Sequence, residues 1–375
     1  MASGPVRART VVVIPGDGIG PEVTEAAVAV LEAAARGSGV TLALDWQEAG
    51  AGVYRRTGQA ISAASLERCR QADAVLKGPV GDPAVRAPDG TEAGMLGGIL
   101  RPGLDAYANV RPIRLYPGVP SALAGRAPGS IDYVIVRENT EGLYAARGRG
   151  FVTPEVAVDP MVMTRRGVER VVRRAFELAR RRAGAPADGV RRVTCVDKAN
   201  VLRSFAFFRE TFLAVAREYP DVEAECRYAD ATAARLVQDP AHFDVLVTEN
   251  FLGDLLSDLG GATIGGLGMC PAANLGDARA YFEPVHGSAP DLAGRDQANP
   301  LAMILAAAMM LEWLGAEAAA ARVRAAVEAA LRDGAVTLRP DGTVAQGTRA
   351  AGRAVLARLD RGLTTPSAAP PPPGA

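Results

Sequence analysis

Residues 10–21 read Thr-Val-Val-Val-Ile-Pro-Gly-Asp-Gly-Ile-Gly-Pro. A β-branched apolar run of this kind favours an extended strand, and it stops at a glycine-rich turn. Pro21 then opens an alanine-rich helix, where its missing N–H costs little. Strand, glycine turn and helix in this order invite comparison with the dinucleotide-binding fingerprint. The spacing disagrees. The glycines follow GxGxGP, and no third glycine stands in the fingerprint position. By itself the loop reads equally well as a plain tight turn.

Outward from this segment, further short strands are expected at 75–77, 133–136, 193–196 and 245–248. Helical patterns lie between them at 164–182, 205–218 and 232–238. Such alternation predicts an α/β fold. No internal repeat is visible. From Thr364 the chain turns to Pro, Ala and Ser and ends in PPPPGA. That composition cannot bury a face, so residues 362–375 are expected to form a disordered tail.

The chain has 375 residues, enough for two domain-sized units. Lys+Arg and Asp+Glu both number 42, which argues against a nucleic-acid or membrane-surface protein. Cys69, Cys195, Cys226 and Cys270 form no CxxC pair, and His242 and His286 are the only histidines. A His/Cys zinc site is therefore disfavoured, and reduced cysteines in a cytoplasmic protein are expected. The first ten residues lack the apolar core of a signal peptide. The apolar stretch 301–314 is too short to span a bilayer and contains Glu312, so it reads as a buried helix.

Several polar residues stand where apolar patterning leaves them hard to dismiss. Asp254 and Asp258 lie four residues apart in Asn-Phe-Leu-Gly-Asp-Leu-Leu-Ser-Asp (250–258) and share one helical face. Like charges so placed repel unless a cation sits between them, and a hard ion such as Mg²⁺ or Mn²⁺ suits oxygen ligands. A solvated helix face is the bland alternative, made less comfortable by the apolar neighbours Phe251, Leu252, Leu255, Leu256 and Leu259. Asp230 precedes another helix and offers a third carboxylate. Arg101 and Arg111 flank a strand-like segment, and Arg137 ends the strand 131–136. Three converging arginines would grip a di- or tricarboxylate bidentately. Lys198, just past a strand end, is a candidate base, and Tyr144 a candidate proton donor. Surface arginines, a surface lysine and a packed aromatic remain the alternatives for each taken singly.

Taken together, the segments PGDGIGPE (15–22), EAGAGVYRRTG (48–58), LRPGLDAYANVRP (100–112), VIVRENTEGLY (134–144), DKANVL (197–202), TENFLGDLLSDL (248–259) and FEPVHGSAPDLAGRDQANP (282–300) resemble the isocitrate/isopropylmalate dehydrogenases. These are β-decarboxylating dehydrogenases, and the resemblance runs in order over nearly the whole chain. It implies a two-domain isopropylmalate dehydrogenase-like fold that is not a Rossmann fold. A large discontinuous cofactor-binding domain (1–106 and 265–361) would enclose a small domain (107–264) carrying the metal site and a dimer interface.

By the same resemblance, Arg101, Arg111 and Arg137 hold the malate carboxylates. Asp254 and Asp258 bind Mg²⁺ or Mn²⁺, joined by Asp230 of a second subunit. Lys198, also from that subunit, takes the hydroxyl proton, and Tyr144 protonates carbon after decarboxylation. A homodimer with shared sites follows. NAD would lie against His286, Gly287, Ser288, Ala289 and Asp291, with Asn299 nearby. Asp291 would accept from ribose hydroxyls and repel a 2′-phosphate, favouring NAD over NADP.

Substrate choice in this family is set just ahead of the first arginine, in residues 92–100. Met95 and Gly97 stand where isocitrate enzymes carry a serine and an asparagine. They supply no donor for a third carboxylate, which must be paired if buried. The expected substrate is accordingly 3-isopropylmalate or a related alkylmalate, with isocitrate, homoisocitrate, D-malate or tartrate as alternatives. The RLYPGVPSALAGRAPGSIDYVIVREN stretch resembles D-malate and tartrate enzymes. A non-catalytic regulatory subunit should have lost the tyrosine, the lysine or a metal aspartate, and all are present.

Overall fold

The computed structural model describes residues 8–88 and 90–364. Its first half contains β1 (Arg9–Ile14), α1 (Gly20–Ala35), β2 (Leu42–Trp46), α2 (Ala51–Thr57), α3 (Ala63–Gln71), β3 (Ala74–Lys77), α4 (Gly97–Gly103), β4 (Ala108–Arg114) and β5 (Asp132–Glu138). A short hairpin, β6 (Phe151–Val152) and β7 (Ala157–Val158), leads to α5 (Arg165–Arg181). Then come β8 (Arg192–Asp197), α6 (Arg203–Ala216), β9 (Glu223–Tyr228), α7 (Ala229–Gln238), β10 (Val245–Thr248) and α8 (Asn250–Ala262). The chain closes with β11 (Pro271–Leu275), β12 (Ala280–Pro284), α9 (Leu301–Trp313), α10 (Glu317–Arg332) and α11 (Thr348–Thr364).

Ten of these strands form one sheet in the order β2-β1-β3-β12-β11-β4-β5-β10-β8-β9. The runs β2-β1-β3-β12 and β5-β10-β8-β9 are each parallel. Between them β11 and β4 pair antiparallel with each other and with their outer neighbours. The order therefore divides at the β11–β4 pair. One side is built from the two ends of the chain, the other from its middle. The strand–helix alternation expected from the sequence is present, and so are the four short strands proposed there. The two outermost strands, β2 and β9, are additions. Each is at an edge and keeps exposed or half-buried residues along its length, so neither shows the apolar run of a central strand.

The stretch 301–314 forms α9, buried almost all round against β3, β11 and β12. Among the described residues no helix is long and apolar enough to cross a membrane. Helix α11 runs through Thr364, three residues into the expected tail 362–375. Residues 365–375 of that tail lie outside the described residues.

The glycine loop is a packing device. Asp17 N–H donates to Pro79 O at 2.8 Å, Ile19 N–H to Ser288 O at 2.8 Å, and Gly20 N–H to Asp17 O at 2.8 Å. With these amides committed to protein carbonyls, the loop does not present the free donors of a phosphate cradle. Its glycines answer to close backbone approach. A Cβ on Gly16 would lie 2.0 Å from Pro79 O, and one on Gly18 2.0 Å from Ser288 O. Both also have left-handed backbone, φ 82° and 58°. The Asp17 carboxylate accepts from the N–H groups of Ala51, Gly52 and Gly81 at 2.7–2.9 Å. It thereby caps α2 and clamps the turn after β3.

Gly18→Ala should combine a left-handed backbone cost of roughly 1–2 kcal/mol with a clash against Ser288. We expect Tm to fall by roughly 2–4 °C, read by thermal unfolding. A fall under about 1 °C would show that the loop yields freely.

Candidate active site

Four pieces of chain bring polar side chains to one face near the sheet seam. On β4, Asn109 and Arg111 are two residues apart and so project together. Asn109 stands opposite Asn274 of β11 and opposite Arg137 of β5, and opposite residues share a face. Helix α8 lies against β4, β5 and β10 and turns Asn250, Asp254, Ser257 and Asp258 toward that face.

Contacts between them are short. Arg137 is 1% exposed. Its Nε and Nη2 both donate to Asn250 Oδ1, at 2.9 and 2.8 Å, and its Nη1 pairs with Asp254 Oδ1. Arg111 Nε donates to Asn109 Oδ1 at 2.6 Å and its Nη1 to Ser257 Oγ at 2.6 Å. The same nitrogen lies 3.4 Å from Asp254 Oδ1 and 3.6 Å from Asp258 Oδ1. Tyr144 OH donates to the other Asp254 oxygen, Oδ2, at 2.9 Å. Arg137 also lies over the Tyr144 ring, 5.5 Å from its centroid.

Local sequence explains how Arg137 reaches the helix. A Cβ on Gly253 would lie 2.6 Å from Arg137 Cγ, so the residue before Asp254 must be small. Glu249 fixes Tyr144 relative to the same helix. Its carboxylate accepts from Phe251 N–H and Leu252 N–H at the α8 N-terminus, and from Leu143 N–H beside the tyrosine.

The charges perturb one another in a consistent way. Burial, with the guanidinium groups of Arg111 and Arg101 nearby, pulls Arg137 down to about 9. Burial pushes Asp254 up, but Arg137 and Arg111 outweigh it and hold the carboxyl below its usual range. Asp258 ends above its usual range, because burial and the Asp254 charge outweigh Arg111. Tyr144 is raised by burial and by Asp254 and keeps its proton. An excess of buried positive charge faces the opening, and an anion entering it relieves that excess.

A cleft of about 590 Å³ opens beside this cluster. Arg101, Arg111, Arg137, Tyr144 and Asp254 line it together with Met95, Gly97 and Gly98 of the α4 region. Its far wall is Lys77, Glu283, His286 and Gly287. Lys77 Nζ lies 2.7 Å from Glu283 Oε2. Burial and Lys77 keep His286 below its usual value, so the ring is neutral. Its Nδ1 faces Gly287 O at 2.9 Å.

The remaining expected residues fall outside the cleft lining. Ser288 is buried, with its Oγ donating to Gly81 O at 2.6 Å. Ala289 has left-handed backbone, φ 38°. Asp291 is exposed on the 3₁₀ turn Pro290–Leu292. Asn299 is buried and its Oδ1 accepts Leu301 N–H at the start of α9, at 3.0 Å. Lys198 and Asp230 pair with each other at 2.9 Å. Among the described residues no three His, Cys, Asp or Glu side chains are grouped to hold a metal. Asp254 and Asp258 nevertheless fit a hard cation in part. They give oxygen donors one turn of α8 apart.

Asn109, Asn250, Ser257, Lys77, Glu283, Arg147 and Arg149 are participants that reasoning from sequence missed. Asn250 and Ser257 had a legible signal, since they share a helical face with Asp254. Asn109 had one too, two residues from Arg111 on a strand. Nothing local marks the others.

The profile of the isocitrate/isopropylmalate dehydrogenase family matches residues 10–351. This chain belongs to that family. It is 44% identical over 326 residues to the 3-isopropylmalate/3-methylmalate dehydrogenase of Methanocaldococcus jannaschii, covering 87% of this chain and 92% of that one. It is 45% identical over 336 residues to a Thermobifida fusca 3-isopropylmalate dehydrogenase, with the same coverage. Among solved structures, isocitrate dehydrogenase from Methylococcus capsulatus superimposes with a TM-score of 0.82 at 40% identity, over 94% of this chain and 99% of that one. A β-decarboxylating dehydrogenase from Thermococcus kodakarensis gives 0.76 at 37%, over 95% and 97%. The family and these neighbours make the chain a β-decarboxylating dehydrogenase acting on a CH–OH group.

A 2-hydroxy dicarboxylate such as D-malate should raise Tm by several degrees. Ligand at about 100 times its Kd contributes roughly 2.7 kcal/mol. In Arg137→Gln we expect that ligand-induced rise to vanish. An undiminished rise would place the anion elsewhere.

Proposed function

We propose that the chain catalyses NAD-dependent oxidative decarboxylation of a 2-hydroxy acid of the malate type, with 3-isopropylmalate or a related alkylmalate preferred. It acts as a cytoplasmic homodimer with shared sites. The observation that carries this reading is the convergence of Arg111, Arg137 and Tyr144 on the Asp254 carboxylate in a cleft that Arg101 also lines.

In this reading the three arginines bind the two malate carboxylates and orient C2 toward the His286–Gly287 wall. Lys198 of the partner subunit takes the hydroxyl proton as hydride leaves C2 for NAD. The resulting ketone is beta to a carboxylate, so loss of CO₂ leaves an enolate electron pair at C3. Tyr144, which retains its proton beside Asp254, donates it to C3. Asp254, Asp258 and the partner subunit's Asp230 would hold Mg²⁺ or Mn²⁺, which when bound supplies Lewis acidity toward the ketone oxygen. NAD would lie along His286, Gly287, Ser288, Ala289 and Asp291, near Asn299. The exposed Asp291 carboxylate suits ribose hydroxyls and disfavours a 2′-phosphate.

Two features support the second subunit. Lys198 and Asp230 engage each other rather than the arginine cluster. The β6–β7 hairpin forms a two-stranded sheet apart from the main one. It exposes Phe151, Val152, Val156 and Val158. An isolated hairpin is marginal in water, and an apolar patch on it calls for a covering surface. The large domain (1–106 and 265–361) and small domain (107–264) divide at the β11–β4 pair in this reading.

A panel of 2-hydroxy acids assayed for NADH formation with Mn²⁺ tests the reaction. 3-Isopropylmalate or a smaller alkylmalate should exceed isocitrate in kcat/KM, D-malate should be slower, NADP should be poorer, and EDTA should abolish turnover. Full activity after exhaustive chelation would remove the metal from the scheme.

Sharing of sites is tested by mixing inactive variants. Lys198→Met and Tyr144→Phe should each lose roughly 10²–10⁴-fold. Co-expressed, they should recover roughly a quarter of wild-type activity, because half the dimers are mixed and each of those keeps one intact site. No recovery from dimers shown to be mixed would place both residues of a site in one chain.

A further inference from the structure

Cys195 of β8 and Cys226 of β9 stand directly opposite each other in the parallel pairing of these strands. Opposite residues share one face of a sheet. Asp197 and Tyr228, the next opposed pair on that face, follow two residues further along. Helix α6 covers them through Arg209. Its Nε and Nη2 donate to the two Asp197 oxygens at 2.8 Å, and its guanidinium lies 4.9 Å from the Tyr228 ring centroid. Neighbouring strands lie about 4.7–4.9 Å apart, and a disulfide joins Cα atoms roughly 4.4–6.8 Å apart. The register therefore puts these two thiols within bonding reach. Cys69, in α3, and Cys270, just before β11, are buried in separate parts of the core.

The two opposed thiols are unequal. Cys195 is wholly buried, whereas Cys226 is half-buried on the edge strand, where a small oxidant reaches it. The Cys195 thiol as a hydrogen-bond donor, with the Arg209 guanidinium, holds Cys226 below the usual thiol range against the effect of burial. Burial and the Cys226 sulfur push Cys195 up, and so does Asp197, whose Oδ2 lies 3.6 Å from the Cys195 sulfur. Burial pushes Cys69 up to about 11 and Cys270 up to about 12. The thiolate is the reactive species. Cys226 is therefore the sulfur that meets an oxidant, and Cys195 the one that resolves it.

We propose that Cys226 and Cys195 are a site of reversible oxidative modification, closed to a disulfide by hydrogen peroxide. The Cys226 thiolate attacks one peroxide oxygen and the O–O bond breaks. The sulfur becomes a sulfenic acid, and the departing hydroxide takes up the thiol proton as water. The Cys195 sulfur then attacks the sulfenic sulfur. The S–S bond forms, the S–O bond breaks, and the Cys195 proton leaves on that oxygen as a second water. Two thiols are oxidised and one peroxide is reduced, and a dithiol reverses the change by exchange. The bond also bears on the proposed reaction. Cys195 precedes Lys198 by three residues, and Cys226 precedes Asp230 by four. Asp197 accepts Ala199 N–H at 2.8 Å, and Lys198 Nζ lies 5.8 Å from the Tyr228 ring centroid. A disulfide needs Cβ atoms roughly 3.5–4.5 Å apart, closer than the strand spacing of about 4.8 Å. Closing it draws together the strand ends that carry Lys198 and Asp230. On the reading above, where both serve the partner's site, oxidation lowers turnover.

The test treats the folded full-length protein with hydrogen peroxide, blocks free thiols with N-ethylmaleimide and reads tryptic peptides by mass spectrometry beside kcat. A cross-linked pair of peptides holding Cys195 and Cys226 should appear, and dithiothreitol should abolish it. Turnover should fall roughly tenfold with the cross-link and return on reduction, since small misplacements of reacting groups are costly. Cys226→Ser and Cys226→Ala should keep their activity under peroxide. In Cys195→Ser the Cys226 sulfenic acid has no resolving thiol and should be trapped by dimedone. Absence of the pair, or pairing of either cysteine with Cys69 or Cys270, would overturn the proposal. So would dimedone labelling of Cys226 in wild type without any disulfide. Equal loss of activity in both Cys226 variants, or a cross-link that leaves kcat unchanged, would overturn the effect on Lys198 and Asp230. The cross-link is read by mass and needs no substrate. If it forms in a protein inactive on every 2-hydroxy acid, the modification stands and the proposed reaction falls.

Discussion

The carboxylate of Asp254 holds the site together. Arg111 and Arg137 come from antiparallel neighbouring strands and both reach its Oδ1, while Tyr144 reaches Oδ2. Two buried guanidinium groups this close repel each other, and burial alone disfavours each. One carboxylate between them makes the arrangement tenable while the cleft is open to an anion. It also sets the position of α8 against β4 and β5. Gly253 follows from that position, because Arg137 packs where its side chain would be.

A second constraint joins the two halves of the sheet. Asn274 on β11 accepts from Asn109 of β4 at 2.6 Å and from Asn139 after β5 at 2.9 Å. Its own amide donates to Glu283 of β12 at 2.9 Å, and Glu283 is the partner of Lys77 on β3. The row runs across the β11–β4 seam from the lysine to Asn109, which orients Arg111. Buried polar groups without partners are costly, so each amide fixes the next. The arginine wall and the His286 wall are therefore held in register by hydrogen bonds as well as by the sheet.

The glycine loop plays the matching part on the far wall. Gly18 sits against Ser288 O, and Ile19 N–H bonds that oxygen. The turn after β1 thus anchors the start of the segment that carries Ala289 and Asp291. A motif that looks like a ligand cradle instead spends its donors on the backbone that would face the ligand.

The sequence by itself determined the alternation of strands and helices, because apolar β-branched runs and helical periodicity are local properties. It determined that GDGIGP was no dinucleotide fingerprint, since glycine spacing is local as well. It also made Arg101, Arg111, Arg137, Tyr144 and Asp254 candidates, through their places at strand ends and on one helical face. Their meeting in one cleft was decided by tertiary structure. Residues as far apart as Arg111 and Asp254 become neighbours only when α8 lies across β4 and β5. The same holds for the edge strands β2 and β9, whose polar exposure removes the apolar signal. It holds for Lys77 and Glu283, whose pairing depends on β3 lying beside β12. Arg147 is the clearest case. In sequence it is one arginine among many, and only the packing of its side chain against Gly98 brings it to the cleft.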